Sequence, residues 1–91
     1  MPIRRIFVHG RVHRVGFRAW AVDHARRLGL SGWVRNRSDG RVEMLVGGPA
    51  ERISEFATSC WKGPELARVE RVDVEAAEAE VPPGFEERMT V

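Results

Sequence analysis

Residues 10–18 read Gly-Arg-Val-His-Arg-Val-Gly-Phe-Arg, or GRVHRVGFR. An apolar run, Ile6-Phe7-Val8, precedes them, and a helical pattern begins at Phe17. A strand that ends in a glycine-containing turn and feeds a helix leaves several backbone N–H groups without partners at the helix start. Those donors, with the positive end of the helix dipole, form an anion site. Arg18 falls in the first helical turn, where a cation is unfavourable unless an anion offsets it. The stretch therefore points to a phosphate. It is not a P-loop, because it lacks the lysine and Ser/Thr, and GxGxxG does not occur in it. The plainer alternative is a loop arginine in a surface ion pair.

Working outward, residues 4–12 place Ile6, Val8 and Val12 on one period-2 face and Phe7, His9 and Arg11 on the other, which predicts a central strand. From Phe17 the period changes. Phe17, Trp20, Ala21, Ala25 and Leu28 form a helical stripe, Arg26 and Arg27 suit the last turn, and Gly29 suits the C′ position. A second strand is expected over residues 30–35. Asn36-Arg37-Ser38-Asp39-Gly40 reads as a hairpin turn, and residues 41–46 return as a third strand. Gly47-Gly48 breaks that strand, and Pro49 is placed at the first position of a second helix carrying Ile53, Phe56, Ala57, Cys60 and Trp61. Residues 67–74 read as a fourth strand, 75–80 as a solvated connector, and 85–91 as a short edge strand. The β-α-β-β-α-β order predicts an α+β, ferredoxin-like sandwich: an antiparallel sheet with two helices on one face.

The 91 residues suit one domain spanning 1–91, with a single modest core. Hydrophobic residues make up 43% of the chain, which excludes a disordered composition. Fifteen basic against 13 acidic residues leave a net charge of only +2, which gives no electrostatic footprint for nucleic acid. The single cysteine, Cys60, excludes an internal disulfide and reads as a buried structural thiol. The opening residues, MPIRRIFVHG, lack the apolar core of a signal peptide, and no run approaches membrane-spanning length. The expectation is a cytoplasmic protein without a membrane role.

Three stretches taken together resemble the acylphosphatase family. Its strand-to-helix loop has the form GxVQGVxFR, its second strand carries GWVxN, and a DGxVE hairpin follows. Here these are Gly10–Arg18, Gly32–Asn36 and Asp39–Glu43. Gly48-Pro49, Gly63-Pro64 and Gly84-Phe85 also stand where such proteins have similar residues. The resemblance covers nearly the whole chain.

It implies hydrolysis of the carboxyl–phosphate bond of an acyl phosphate to a carboxylate and inorganic phosphate, without metal or cofactor. The backbone of His13, Arg14, Val15, Gly16 and Phe17 and the guanidinium of Arg18 would hold the phosphoryl oxygens. Asn36 would position the attacking water; read without the family, Asn36 is a turn former bonding its own backbone. The expected partner is a small acyl phosphate, with no nucleic acid and no membrane, and the expected state is a monomer.

The loop departs from the family at His13-Arg14, which replace Gln-Gly. Gly there would serve a backbone angle that arginine reaches only with strain. Arg14 alternatively points outward and adds positive field; His13 either donates to a phosphate oxygen or faces solvent. His9 and His13 lack companions for a zinc site. Trp20, Trp33 and Trp61 read as core or half-buried packing residues, His24 as a helix-surface residue, and Arg35 and Arg37 as parts of a solvated face. RNA-recognition domains share the strand order, but the third strand here carries no stacking aromatic. A related, catalytically weak domain that binds phosphate or a partner, like those opening hydrogenase-maturation carbamoyl-transfer proteins, is the remaining alternative.

Overall fold

A computed structural model describes all of residues 1–91. Its elements run β1 (Ile3–Arg11), α1 (Phe17–Arg27), β2 (Ser31–Asn36), β3 (Val42–Gly47), α2 (Ala50–Cys60), β4 (Arg68–Ala76) and β5 (Phe85–Glu87). They form one five-stranded sheet in the order β4-β1-β3-β2-β5. The first four strands pair antiparallel, which is the expected ferredoxin-like arrangement.

Register explains the core. Ile6 and Val34 both stand opposite Met44, and Val8 stands opposite Val42, so these side chains share one face. Phe17, Ala21 and Ala25 of α1 and Ile53, Phe56 and Cys60 of α2 close over that face. Each large apolar side chain buried there contributes roughly 1.5–3 kcal/mol, against about 0–1 for an exposed ion pair, so this layer determines the fold. Burial pushes the Cys60 thiol well above its ordinary pKa, in keeping with a structural role.

α1 ends as its sequence predicts. Gly29 has φ +70°, its N–H donates to the Arg26 carbonyl at 3.1 Å, and the Leu30 N–H donates to the Ala25 carbonyl at 3.0 Å. This paired closure needs the left-handed residue that glycine supplies without strain.

Several expectations are corrected. Pro49 lies just outside α2 as its N-cap, with φ −58° and ψ 138°, so the helix begins at Ala50. β4 runs on to Ala76 because Arg4 and Arg5 of β1 continue to offer ladder partners to Ala76 and Glu75. The edge strand stops at Glu87 and runs parallel to β2, so the sheet is mixed rather than purely antiparallel. Trp61 is 53% exposed, since α2 ends one residue before it and turns its ring away from the core. His24 is no simple surface residue: its ring packs against both Trp20 and Phe56, which also stack on each other, and its Nε2 lies 3.1 Å from the Ser59 Oγ, joining the two helices.

Candidate active site

The loop between β1 and α1 meets the end of β2 at a cavity of about 220 Å³ lined by Val12, Arg14, Gly16, Phe17, Arg18, Ala19, Asn36 and Glu87. β1 pairs with β3 only as far as Val8–Val42, and after a register shift between His9 and Gly10 it continues against β4 alone to Arg11. Gly16 then caps α1 in the left-handed conformation, with φ +79° and ψ 19° and no side-chain cap. No acidic residue occupies the first turn. The backbone N–H groups of His13 through Ala19 find no acceptor anywhere in the chain. The helix start is therefore an open cluster of donors at the positive end of a dipole.

Arg14 and Arg18 both line this cavity, and neither guanidinium makes an ion pair or a hydrogen bond. Most other arginines of the chain are paired: Arg5, Arg27, Arg35, Arg37, Arg41, Arg52, Arg71 and Arg88 all hold carboxylates. Arg14 has φ +60°, the only non-glycine residue in the left-handed region. The strain anticipated for arginine at this position is thus present, and the residue nevertheless lines the cavity.

Asn36 closes β2 opposite Val42, and strand alternation sends its side chain to the helix face. Its Oδ1 is buried and has no hydrogen-bond partner. Its carbonyl instead accepts the Val91 N–H at 3.2 Å, so the end of the chain is tied to the strand that bears it. Asn36 thus lines the same cavity as Arg14, Arg18 and the start of α1, whose N–H groups have no acceptor within the chain.

His13 takes neither orientation expected of it. Its Nε2 donates to the Arg41 carbonyl at 3.0 Å, tying the loop to the β2–β3 hairpin. Ala19 and Glu87 are the lining residues that sequence reading missed; Ala19 follows Arg18 in α1, and the parallel pairing of Val34 with Glu87 brings the carboxylate-bearing residue to the cavity.

On the opposite face of the sheet, Glu43 is 3% exposed. Its Oε2 accepts from Arg5 Nη1 at 2.6 Å, and its Oε1 accepts from Arg35 Nε at 3.0 Å and Arg37 Nη1 at 3.1 Å. Burial opposes its charge, but the hydrogen bonds from these three guanidiniums prevail and hold its pKa below the ordinary carboxylate value. Arg35 and Arg37 are therefore structural partners and not a solvated face. No three His, Cys, Asp or Glu side chains converge as a metal site.

The family model for acylphosphatase matches residues 4–87. The chain belongs to the acylphosphatase family. An acylphosphatase of Rhizorhabdus wittichii is 49% identical over 88 residues, covering 97% of this chain and 89% of the relative. The crystal structure of the Bacillus subtilis acylphosphatase superposes with a TM-score of 0.92 at 36% identity, covering 97% of this chain and 99% of that one. The T. kodakarensis HypF structure superposes with a TM-score of 0.85 at 32% identity, covering 97% of this chain but only 12% of HypF. The acylphosphatase fold is thus found both at this chain's own length and within a much longer protein.

Proposed function

We propose that this chain hydrolyses acyl phosphates at the cavity between the Gly10–Arg18 loop and Asn36. The observation that carries the reading is that Asn36, whose Oδ1 has no hydrogen-bond partner in the chain, lines the same cavity as the unpaired Arg18 and the uncapped start of α1.

The phosphoryl oxygens accept hydrogen bonds from the N–H groups of His13, Arg14, Val15, Gly16 and Phe17 and from the Arg18 guanidinium. Each charge-assisted bond contributes about 1.5–3 kcal/mol, against about 0.3–1 for the helix dipole, so Arg18 dominates phosphate binding. Arg14 adds positive field. The Asn36 carboxamide turns its oxygen from the buried position toward the cavity, and a water donating one hydrogen to it has a lone pair left for phosphorus. The water oxygen forms the new P–O bond as the P–O bond to the acyl group breaks. The carboxylate departs with the bonding pair, and both water protons end on inorganic phosphate. A carboxylate of pKa about 4 leaves without an acid to protonate it, so positioning and charge stabilisation supply most of the catalysis.

The substrate is a small acyl phosphate, and residues 1–91 act as one domain and as a monomer. Nucleic acid has no platform on the open sheet face, where Arg35 and Arg88 cover Trp33 at 4.5 and 5.3 Å from the ring centre. The buried single cysteine fits a cytoplasmic protein.

The test is benzoyl phosphate hydrolysis with a chelator present, beside Arg18→Ala. Turnover that disappears in the variant is expected. Phosphate binding without turnover in folded wild type would favour a binding domain of the same family.

A further inference from the structure

Arg35 and Arg37 flank Asn36 in the chain, and both bind the same oxygen of Glu43, Oε1. Arg35 stands directly opposite Glu43 in the ladder, whereas Arg37 lies beyond the last paired rung, Asn36–Val42. The backbone at Asn36 is therefore at the strand end, where the Arg37 N–H still donates to the Arg41 carbonyl at 2.9 Å as the hairpin closes. Two side chains on the open face grip one buried carboxylate, while the carboxamide between them points to the other face. Arg37 also reaches Asp39 Oδ2 through its Nε at 3.0 Å, so the grip continues into the turn.

We propose that Glu43 is a positioning residue for the reaction: by fixing both neighbours of Asn36, it sets the direction in which the Asn36 oxygen presents water. The inference rests on the reading of Asn36 as the water-holding group. Glu43 itself lies across the sheet from the cavity and touches no substrate.

The experiment compares kcat, KM for benzoyl phosphate, and inhibition by inorganic phosphate in wild type, Glu43→Gln, Asn36→Ala and the double variant. A misplacement on the scale of an ångström costs up to about 100-fold, so a partial loosening is expected to lower kcat roughly tenfold in Glu43→Gln. KM and phosphate inhibition should stay within about twofold, because the loop and Arg18 are untouched. In the Asn36→Ala background the same change should cost less than about twofold, since the group it positions is gone. Equal losses in both backgrounds, an unchanged kcat, or a matching loss of phosphate affinity would overturn the proposal.

Arg37→Lys covers the case in which Glu43→Gln does not fold. It keeps the charge but cannot span Asp39 and Glu43 together, and a kcat loss of about threefold with unchanged phosphate inhibition is expected. Full activity in Arg37→Lys would count against the grip. If Asn36→Ala is as fast as wild type, the reading of Asn36 falls and this inference with it. If Asn36→Ala is slow while Glu43→Gln and Arg37→Lys are not, only the positioning role falls.

Discussion

Asn36 and Glu43 stand one rung apart in the β2–β3 ladder, and their side-chain oxygens are treated in opposite ways. On the helix face, Asn36 Oδ1 is buried with no partner; on the open face, Glu43 is buried with three. The same contrast separates the arginines. Those around Glu43 are consumed by a carboxylate, whereas Arg14 and Arg18 are left unpaired at the cavity. Ordinary folding favours the first arrangement, because an unsatisfied buried group costs about 1–3 kcal/mol. The proposed phosphate site is the one place where the chain keeps the second arrangement.

Breaking the unpaired side should have the largest effect. Arg18→Ala is expected to lower kcat/KM for benzoyl phosphate by roughly 1,000-fold, the scale for losing a charge that stabilises a phosphoryl transition state. Its melting temperature should change little, because Arg18 has no partner to strand. A melting temperature that falls with activity would mean that Arg18 serves the fold.

Breaking the paired side should act on stability. Orphaning a member of a buried pair costs about 3–5 kcal/mol; the arginines here are partly exposed, so Glu43→Leu is assigned about 2 kcal/mol, or roughly 8–16 °C in melting temperature. The sign of its pH dependence follows from a depressed pKa. Stability from Glu43, and from the similarly depressed Asp39 and Asp73, is present above the unfolded value near 4 and is lost as pH falls through the folded values. Thermal melts from pH 7 to pH 2 should show the gap between wild type and Glu43→Leu narrowing on the acid side. A constant gap would remove the carboxylate from the explanation.

Two smaller changes sharpen the contrast. His13→Ala frees the loop from the Arg41 carbonyl and should raise KM by about threefold to tenfold, the effect of one neutral hydrogen bond. An unchanged KM would mean that the loop holds its shape unaided. Glu87→Gln removes the one anion lining the cavity and should tighten inhibition by inorganic phosphate about twofold to fivefold, more at low salt. Weaker inhibition would mean that Glu87 assists the ligand.

Much of this was legible in the sequence, for local reasons. The change of apolar period at Phe17, the Gly29 stop and the Asp39-Gly40 turn each act within a few residues, and they order the four antiparallel strands. The loop motif and Asn36 were readable as candidates, and the fold brings them to one cavity. What escaped depends on pairing across distance. Arg35 and Arg37 read as solvated because their partner lies across the ladder, and Glu87 had no signal because the edge strand's sequence does not show which strand it pairs with or in which direction. Trp61 keeps the spacing of the α2 stripe, yet the helix ends just before it.

The most direct measurement is stability and turnover together for Asn36→Leu, beside Glu43→Leu. Leucine replaces an unsatisfied buried oxygen with an apolar group of similar size, so Asn36→Leu should melt at or above the wild-type temperature while kcat falls about 100-fold. Glu43→Leu should melt well below it. If Asn36→Leu is instead destabilised as much as Glu43→Leu, or retains its turnover, the oxygen is not held open for the reaction and the contrast between the two faces has no functional meaning.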